Sequence, residues 1–304
     1  MSPGRTSGHA GRRRANVRRQ RVDGTAVVVR HSGAEPAVGF RVLPGAADSD
    51  VVLHVPHAGR LVPPDVRAGL LLDDAALATE LARMTDAHTD LIAARAATST
   101  RRTPWTFVNL LSRLVVDPER FPDERESMRA VGMAAVYTRT SDGSPLRADD
   151  PVSEEVLLDR WYRPYARAIT DLVEARLAVR GRVTVLDVHS YPSRRLPYEI
   201  GGTERPAVCL GTDPAHTPDW LLAAGRAAFA GCGGTGVDTP FAGCYVPLRH
   251  YGRDRRVTAL MVEIRRDGYL VEPGGPPTGG LATMAGALAT LVDAVDANPG
   301  RRTG

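Results

Sequence analysis

The hydrophobic positions of this chain fall into short continuous runs, separated by segments with helical spacing. The clearest run occupies residues 183–188 and is rich in valine and leucine. Similar runs occur at 51–56, 106–111, 114–116, 207–210 and 257–264. Apolar runs of this length are typical of strands that are covered on both faces of a sheet.

The segments between these runs carry apolar residues every three or four positions, as amphipathic helices do. Asp73 or Asp74 can cap one such helix, in which Leu77, Leu81 and Met84 share a face. Further helices are predicted at about 86–97, from Ser153 to Gly181, at 220–229 and at about 280–296.

Strands that alternate with helices predict an α/β fold, with a mixed, mostly parallel sheet covered by helices on both faces. We expect a single domain over residues 23–298, because a chain of 304 residues can bury one large core. Residues 118–150, dense in proline, aspartate, serine and glycine, predict a long loop over the surface. No run approaches the roughly 18 apolar residues of a membrane helix, so no membrane partner is expected.

The charge of the chain is unevenly distributed. All 39 basic residues are arginine, and residues 1–22 hold seven of them and no acidic residue; without these seven the formal net charge of +4 becomes −3. We expect this arginine-rich segment and the C-terminal tail at 299–304 to be disordered. A basic tail can bind nucleic acid, but a solvated tail or a misassigned start codon is the simpler interpretation. It lacks the apolar stretch of a secretory signal.

The three cysteines, Cys209, Cys232 and Cys244, show no Cys-x-x-Cys spacing. Unpaired thiols are typical of reducing compartments, so we expect reduced cysteines in a cytoplasmic protein. Cys244 is a minor candidate for a nucleophile.

Two histidines follow predicted strands, where ligands gather in open α/β sheets. They are His57 and His189. Two histidines and a carboxylate form a common catalytic zinc set that leaves one position open for water. Because no His-Glu-x-x-His motif accompanies His57, the carboxylate must come from elsewhere. Spacing favours Asp86 and Asp90 equally, and His88 is an alternative ligand.

A glutamate near the end of another apolar run is a candidate for proton transfer. Glu263 follows Leu-Met-Val at 260–262, so its carboxylate is expected to be desolvated. Beside a metal-bound water, such a glutamate can accept a proton and deliver it to a leaving amine. The alternative is a structural ion pair with Arg265 or Arg266.

Two arginines flank the predicted strand at 114–116. Arg113 and Arg120 could bind an acidic substrate, because guanidinium groups hold carboxylates through two parallel hydrogen bonds. They could equally pair with Asp117 and fix the loop.

Taken in order, these motifs resemble the N-formylglutamate amidohydrolase family over roughly residues 50–272. The blocks that carry the resemblance are Val-Pro-His-Ala-Gly-Arg at 55–60, Thr-Asp-Ala-His at 85–88, Ser-Arg at 112–113 with Val-Asp at 116–117 and Arg120, Trp-Tyr-Arg-Pro-Tyr at 161–165, Asp-Val-His-Ser at 187–190, Leu-Gly-Thr at 210–212, Pro-Phe-Ala-Gly at 240–243, His-Tyr-Gly at 250–252, and Glu-Ile-Arg at 263–265 with Tyr269. Two departures are Ala58, where serine is as frequent, and the less familiar segment 191–197, which could shape a different acyl or side-chain pocket.

The resemblance implies a fold related to the zinc carboxypeptidases and zinc-dependent hydrolysis of a small acidic N-formyl or N-acyl amino acid, with a place in histidine catabolism. By position it favours Asp86 over Asp90. The roles it implies are zinc binding by His57, Asp86 and His189, base catalysis by Glu263, and substrate binding by Arg113, Arg120, Arg265, His250 and Tyr251. The alternatives are a hydrolase of another N-acyl amino acid or peptide-like amide, and an inactive protein that binds an acidic ligand.

Overall fold

The centre of the computed structural model, which describes residues 1, 39–199 and 203–298, is a mixed sheet of seven strands. The tails predicted at 1–22 and 299–304 lie outside the described residues, apart from Met1. The strands are β1 (Phe40–Leu43), β2 (Val51–Val55), β3 (Trp105–Asn109), β4 (Val183–Tyr191), β5 (Val208–Gly211), β6 (Thr235–Val237) and β7 (Val257–Arg265).

The strand order across the sheet is β1-β3-β2-β4-β7-β5-β6. The central strands β3, β2, β4 and β7 run parallel, whereas β1 pairs antiparallel with β3 and β5 pairs antiparallel with β7. Strand β6 pairs parallel with β5. The predicted mixed, mostly parallel sheet is therefore confirmed.

Seven α-helices surround the sheet within the described residues. They are α1 (Pro64–Ala68), α2 (Asp74–Met84), α3 (Thr89–Ser99), α4 (Pro151–Leu157), α5 (Arg163–Arg180), α6 (Asp219–Ala228) and α7 (Gly280–Ala297). Side chains of α3, α6 and α7 pack with β2, β4 and β7 in one core cluster, and α5 packs with the same strands in another. Helices thus cover both faces, as predicted, and both cores can exclude water from the sheet.

Helix α7 is long and apolar enough to cross a membrane by length and composition alone. More than half of it is buried, and it packs against α3, α6 and β2. A helix that is hydrophobic around most of its circumference is typical of a protein core.

Some predicted elements differ from the structure. The apolar run at 114–116 forms a turn rather than a strand, and its side chains are buried in the core around it. The region 118–150 is not a surface loop throughout, because Met133, Tyr137 and Leu146 are buried in a cluster with α2. The half-exposed edge strands β1 and β6 were not predicted, since they lack a continuous apolar run.

Candidate metal centre and active site

The predicted site residues meet at the carboxyl ends of the central strands. His57 lies two residues beyond β2, while His189 and Glu263 are paired neighbours in β4 and β7. Side chains opposite each other on adjacent strands share one face of a sheet. Together with Asp86 they line a cavity of about 330 Å³.

Three side chains in this cavity could hold a metal ion. Nδ1 of His57 lies 3.2 Å from Nδ1 of His189 and 3.7 Å from Oδ2 of Asp86, and Nδ1 of His189 lies 3.0 Å from the same oxygen. Ligands about 2.0–2.1 Å from a tetrahedral zinc ion lie roughly 3.3 Å apart. The spacing and the chemistry of these three groups therefore fit a cation with tetrahedral coordination, in which one position is left open.

The structure separates the alternatives that spacing left open for the carboxylate. Asp86 lies between α2 and α3, and its backbone N–H donates to the carbonyl of His57, which holds the two residues together. Asp90 is in the first turn of α3 and is not part of the group. The Nε2 atom of His88 is hydrogen-bonded to the carbonyl of Gly275, so this side chain points away from the group.

The far nitrogens of both histidines face carboxylates. Nε2 of His57 lies 2.8 Å from Oδ1 of Asp117, and Nε2 of His189 lies 3.1 Å from oxygens of both Asp187 and Glu119. Burial lowers the pKa of each histidine, but the nearby carboxylates outweigh it and hold both pKa values above their ordinary range. Carboxylates in this position orient a metal-binding imidazole and raise its basicity.

A second group of three possible ligands adjoins the first. It consists of His54, Glu119 and Asp187. Nδ1 of His54 lies 2.8 Å from Oδ1 of Asp187, and its Nε2 atom lies 2.5 Å from the hydroxyl of Tyr165. No sequence pattern considered above pointed to this group. The polar residue His54 inside an otherwise apolar strand was the signal that could have revealed it.

Arg113, which lines the cavity, forms an ion pair with Asp117. The guanidinium donates from Nε at 3.1 Å and from Nη2 at 2.7 Å to Oδ2 of Asp117, which also accepts from the hydroxyl of Tyr137. Burial opposes ionisation, but Arg113 and His57 hold the pKa of Asp117 well below its ordinary value. Of the two roles considered for Arg113, the structure displays the loop-fixing pair.

Arg120 differs from Arg113 because part of its guanidinium is buried without a partner. Its Nε atom makes no hydrogen bond and lies 3.7 Å from Asp117, and Nη1 lies 3.8 Å from Glu126. Its side chain lines the cavity. A buried donor of this kind is available to a ligand that enters the cavity.

Glu263 is buried and has a carboxylate oxygen, Oε2, with no hydrogen-bond partner. Burial raises the pKa of Glu263 to about 7. Neither neighbouring arginine forms the structural ion pair considered for it: Arg265 pairs with Asp267, and Arg266 pairs with Asp86.

The remaining predicted residues divide between the cavity and its surroundings. Tyr251 lines the cavity and its ring packs against Phe121. His250 does not line it, because its ring faces Asp254 at 3.3 Å, outside the cavity. Arg265 does not line it either.

The reason for the position of Arg265 is the end of β7. The chain turns there into a short 3₁₀ helix, Arg266–Gly268, and it is the side chain of Arg266 that reaches the cavity. Cys244 also lines the cavity, but burial raises the pKa of its thiol, which disfavours the nucleophilic thiolate.

Comparisons with known proteins identify the family and the fold of the chain. The family model described as N-formylglutamate amidohydrolase matches residues 49–270. One similar solved structure is an N-formylglutamate amidohydrolase from Ralstonia eutropha JMP134, with 21% identity and a TM-score of 0.70; the match covers 85% of this chain and 97% of that one. Another is a gene product of Agrobacterium tumefaciens, with 19% identity and a TM-score of 0.64; this match covers 84% of this chain and 94% of that one. At these identities the structures show a shared fold. No curated protein sequence matches the chain significantly. Because the family model spans most of its length, the chain belongs to the N-formylglutamate amidohydrolase family.

Proposed function

We propose that this protein hydrolyses the amide bond of an N-formyl amino acid such as N-formylglutamate, with a zinc ion held by His57, Asp86 and His189. The observation that carries the proposal is the convergence of two imidazole nitrogens and one carboxylate oxygen within 3.7 Å of one another, in a cavity that Glu263 also lines. Two histidines, one carboxylate and an open position are typical of catalytic zinc sites.

The charges around the cavity support a bound divalent cation. Carboxylates are concentrated around the two predicted histidine ligands: Asp86 lies beside both, Asp117 lies 2.8 Å from His57, and Glu119 and Asp187 each lie 3.1 Å from His189. The attraction between these negative charges and a cation is strong in a buried region, so they would stabilise a divalent cation held between the histidines.

The bound cation would polarise the formyl oxygen and acidify a water molecule. Glu263 is the residue placed to accept the proton, because it is the direct neighbour of His189 across the sheet and its Oε2 atom is free of other hydrogen bonds. The same carboxyl group would deliver the proton to the amine nitrogen that leaves.

The cavity is suited to an acidic substrate. Arg120 offers a buried Nε donor that has no hydrogen-bond partner among the described residues, and a substrate carboxylate would satisfy it. The cavity wall also includes Phe241 and Tyr245, whose rings would provide apolar surface for the carbon chain of the substrate.

The test combines metal analysis with an assay of formate release from N-formylglutamate. The purified protein is expected to bind one equivalent of zinc and to release formate, and His189→Ala is expected to lose both. Glu263→Gln is expected to keep its zinc while its rate falls by about 10²–10⁴, the usual contribution of a positioned acid–base group.

Two outcomes would contradict the proposal. Full zinc content in His189→Ala would exclude His189 as a ligand, and an undiminished rate in Glu263→Gln would exclude Glu263 as the base. A parallel panel of N-acetyl and longer N-acyl amino acids tests the alternative substrate class. A protein that binds no metal and turns over none of these amides would instead support the inactive binding protein.

A further inference from the structure

One short turn carries a carboxylate to each of the two histidines of the metal site. The turn consists of Asp117, Pro118 and Glu119. Asp117 accepts from the backbone N–H of Glu119 at 3.1 Å through Oδ1, the same oxygen that lies 2.8 Å from Nε2 of His57. Two residues along the chain, Oε2 of Glu119 lies 3.1 Å from Nε2 of His189.

Glu119 is less constrained than its neighbours. Its Oε1 atom is buried without a hydrogen-bond partner among the described residues, although Nδ1 of His54 lies 3.4 Å from it, and its side chain is 17% exposed at the wall of the cavity. Asp187 lies equally close to Nε2 of His189, at 3.1 Å, but it also accepts from Nδ1 of His54 at 2.8 Å and from the backbone of Tyr245. Both oxygens of Asp187 already accept a hydrogen bond, whereas Oε2 of Glu119 accepts none among the described residues and is available to His189.

His189 lies close to both carboxylates without an aligned hydrogen bond to either. Its Nε2 atom is 3.1 Å from an oxygen of Glu119 and 3.1 Å from an oxygen of Asp187, but neither contact has the angle of a hydrogen bond. A single N–H donor can be shared between two acceptors in a three-centre arrangement.

We infer that Glu119 is a positioning residue for the metal site: it keeps the proton of His189 on Nε2, so that the lone pair of Nδ1 faces the cation, as Asp117 does for His57. The inference rests on the proposed function, because it concerns the same metal site. A neutral imidazole has a single N–H, and the partner of one nitrogen decides which nitrogen is free to bind a metal. The turn would thus orient both ligand histidines from one side.

The test measures metal affinity rather than turnover alone. Glu119→Ala removes both oxygens, and Glu119→Gln keeps an oxygen acceptor but no charge. The matched control is Glu124→Gln, which removes one charge from the same segment at an exposed position. For each variant, zinc affinity is measured by competition with a chromophoric chelator, the Co²⁺-loaded protein is examined by visible absorption, and circular dichroism monitors folding.

We expect Glu119→Ala to bind zinc about 10–100-fold more weakly, the usual effect of losing a carboxylate behind a metal-binding histidine. Its Co²⁺ absorption bands should shift as well. Glu119→Gln should recover part of the affinity, and Glu124→Gln should match the unchanged protein. If Glu119→Ala fails to fold, the inference is tested by comparing the zinc affinities of Glu119→Gln and Glu124→Gln.

Unchanged zinc affinity and an unchanged Co²⁺ spectrum in the Glu119 variants would overturn this inference and leave the proposed function intact. If the protein without substitutions binds no divalent cation, both this inference and the proposed function are overturned. Equal losses of zinc affinity in Glu119→Gln and Glu124→Gln would show that the effect comes from charge alone, which also contradicts a positioning role.

Discussion

Replacing Arg266 by methionine tests how strongly one buried ion pair supports the site. The guanidinium of Arg266 is 3% exposed, and its Nη2 atom donates to Oδ1 of Asp86 at 3.1 Å. The same group donates to the carbonyl oxygens of Arg83 and Ser190. Methionine would retain much of the apolar contact of the side chain but none of these donors.

The expected loss follows from the burial of the pair. Removing one member of a buried pair costs about 3–5 kcal/mol, because the remaining charge loses its partner in a poorly hydrated region. Asp86 keeps its contact with His189 at 3.0 Å, so we expect a loss near the lower end of this range, about 3 kcal/mol. We expect the free energy of unfolding of the metal-free protein to fall by this amount. With an m-value of about 3 kcal/mol/M, the urea midpoint would move by about 1 M.

The adjacent arginine provides a matched control. Arg265 pairs with Asp267 at 2.7 Å, and the two side chains are 31% and 43% exposed. Exposed pairs contribute about 0–1 kcal/mol, so Arg265→Met should have a much smaller effect. Both variants are compared by urea denaturation in the presence of a chelator. Equal midpoints for the two variants would refute the argument that burial of the Asp86–Arg266 pair determines the cost.

Three further predictions concern other parts of the structure. A Cβ atom at Gly59 would lie 2.5 Å from backbone atoms just beyond β3. Gly59→Ala should therefore displace the loop that carries the predicted ligand His57 and weaken zinc binding in a metal titration. Gly231→Ala should leave zinc binding unchanged, because the space around Gly231 is open. Phe107 is fully buried, so Phe107→Ala should lower the free energy of unfolding by about 3–5 kcal/mol in urea denaturation, and a loss below 1 kcal/mol would contradict its role in the core. Burial outweighs the hydrogen bonds from Ser141 and raises the pKa of Glu80 above its ordinary value of 4.5. The protonated form of Glu80 is therefore favoured by folding, and its contribution to stability should decline as the pH rises above 4.5, whereas Glu80→Gln should lack this decline in a pH series of denaturation curves.

The sequence contained enough information to predict the architecture. Strands with continuous apolar runs were predictable because both of their faces are covered, as in β4 and β7. The run at 114–116 has the same composition but forms a turn, since buried loops need apolar side chains too. Edge strands such as β1 lack such a run, because one side of each faces solvent or a neighbouring loop, and so the pattern did not reveal them.

The chain by itself also identified His57, His189 and Glu263 as candidates, because residues at the carboxyl ends of parallel strands must meet at one edge of the sheet. Only the tertiary structure decided their partners. It brought Glu119 to His189 and directed Arg266 rather than Arg265 into the cavity. It also placed Asp86 beside the histidines, a choice that the family resemblance favoured but that spacing alone left open. These choices depend on side-chain direction in turns and loops, where no periodic pattern records which way a residue points. Hydrophobic periodicity determines which segments are buried, whereas the packing of those segments determines which polar groups face one another.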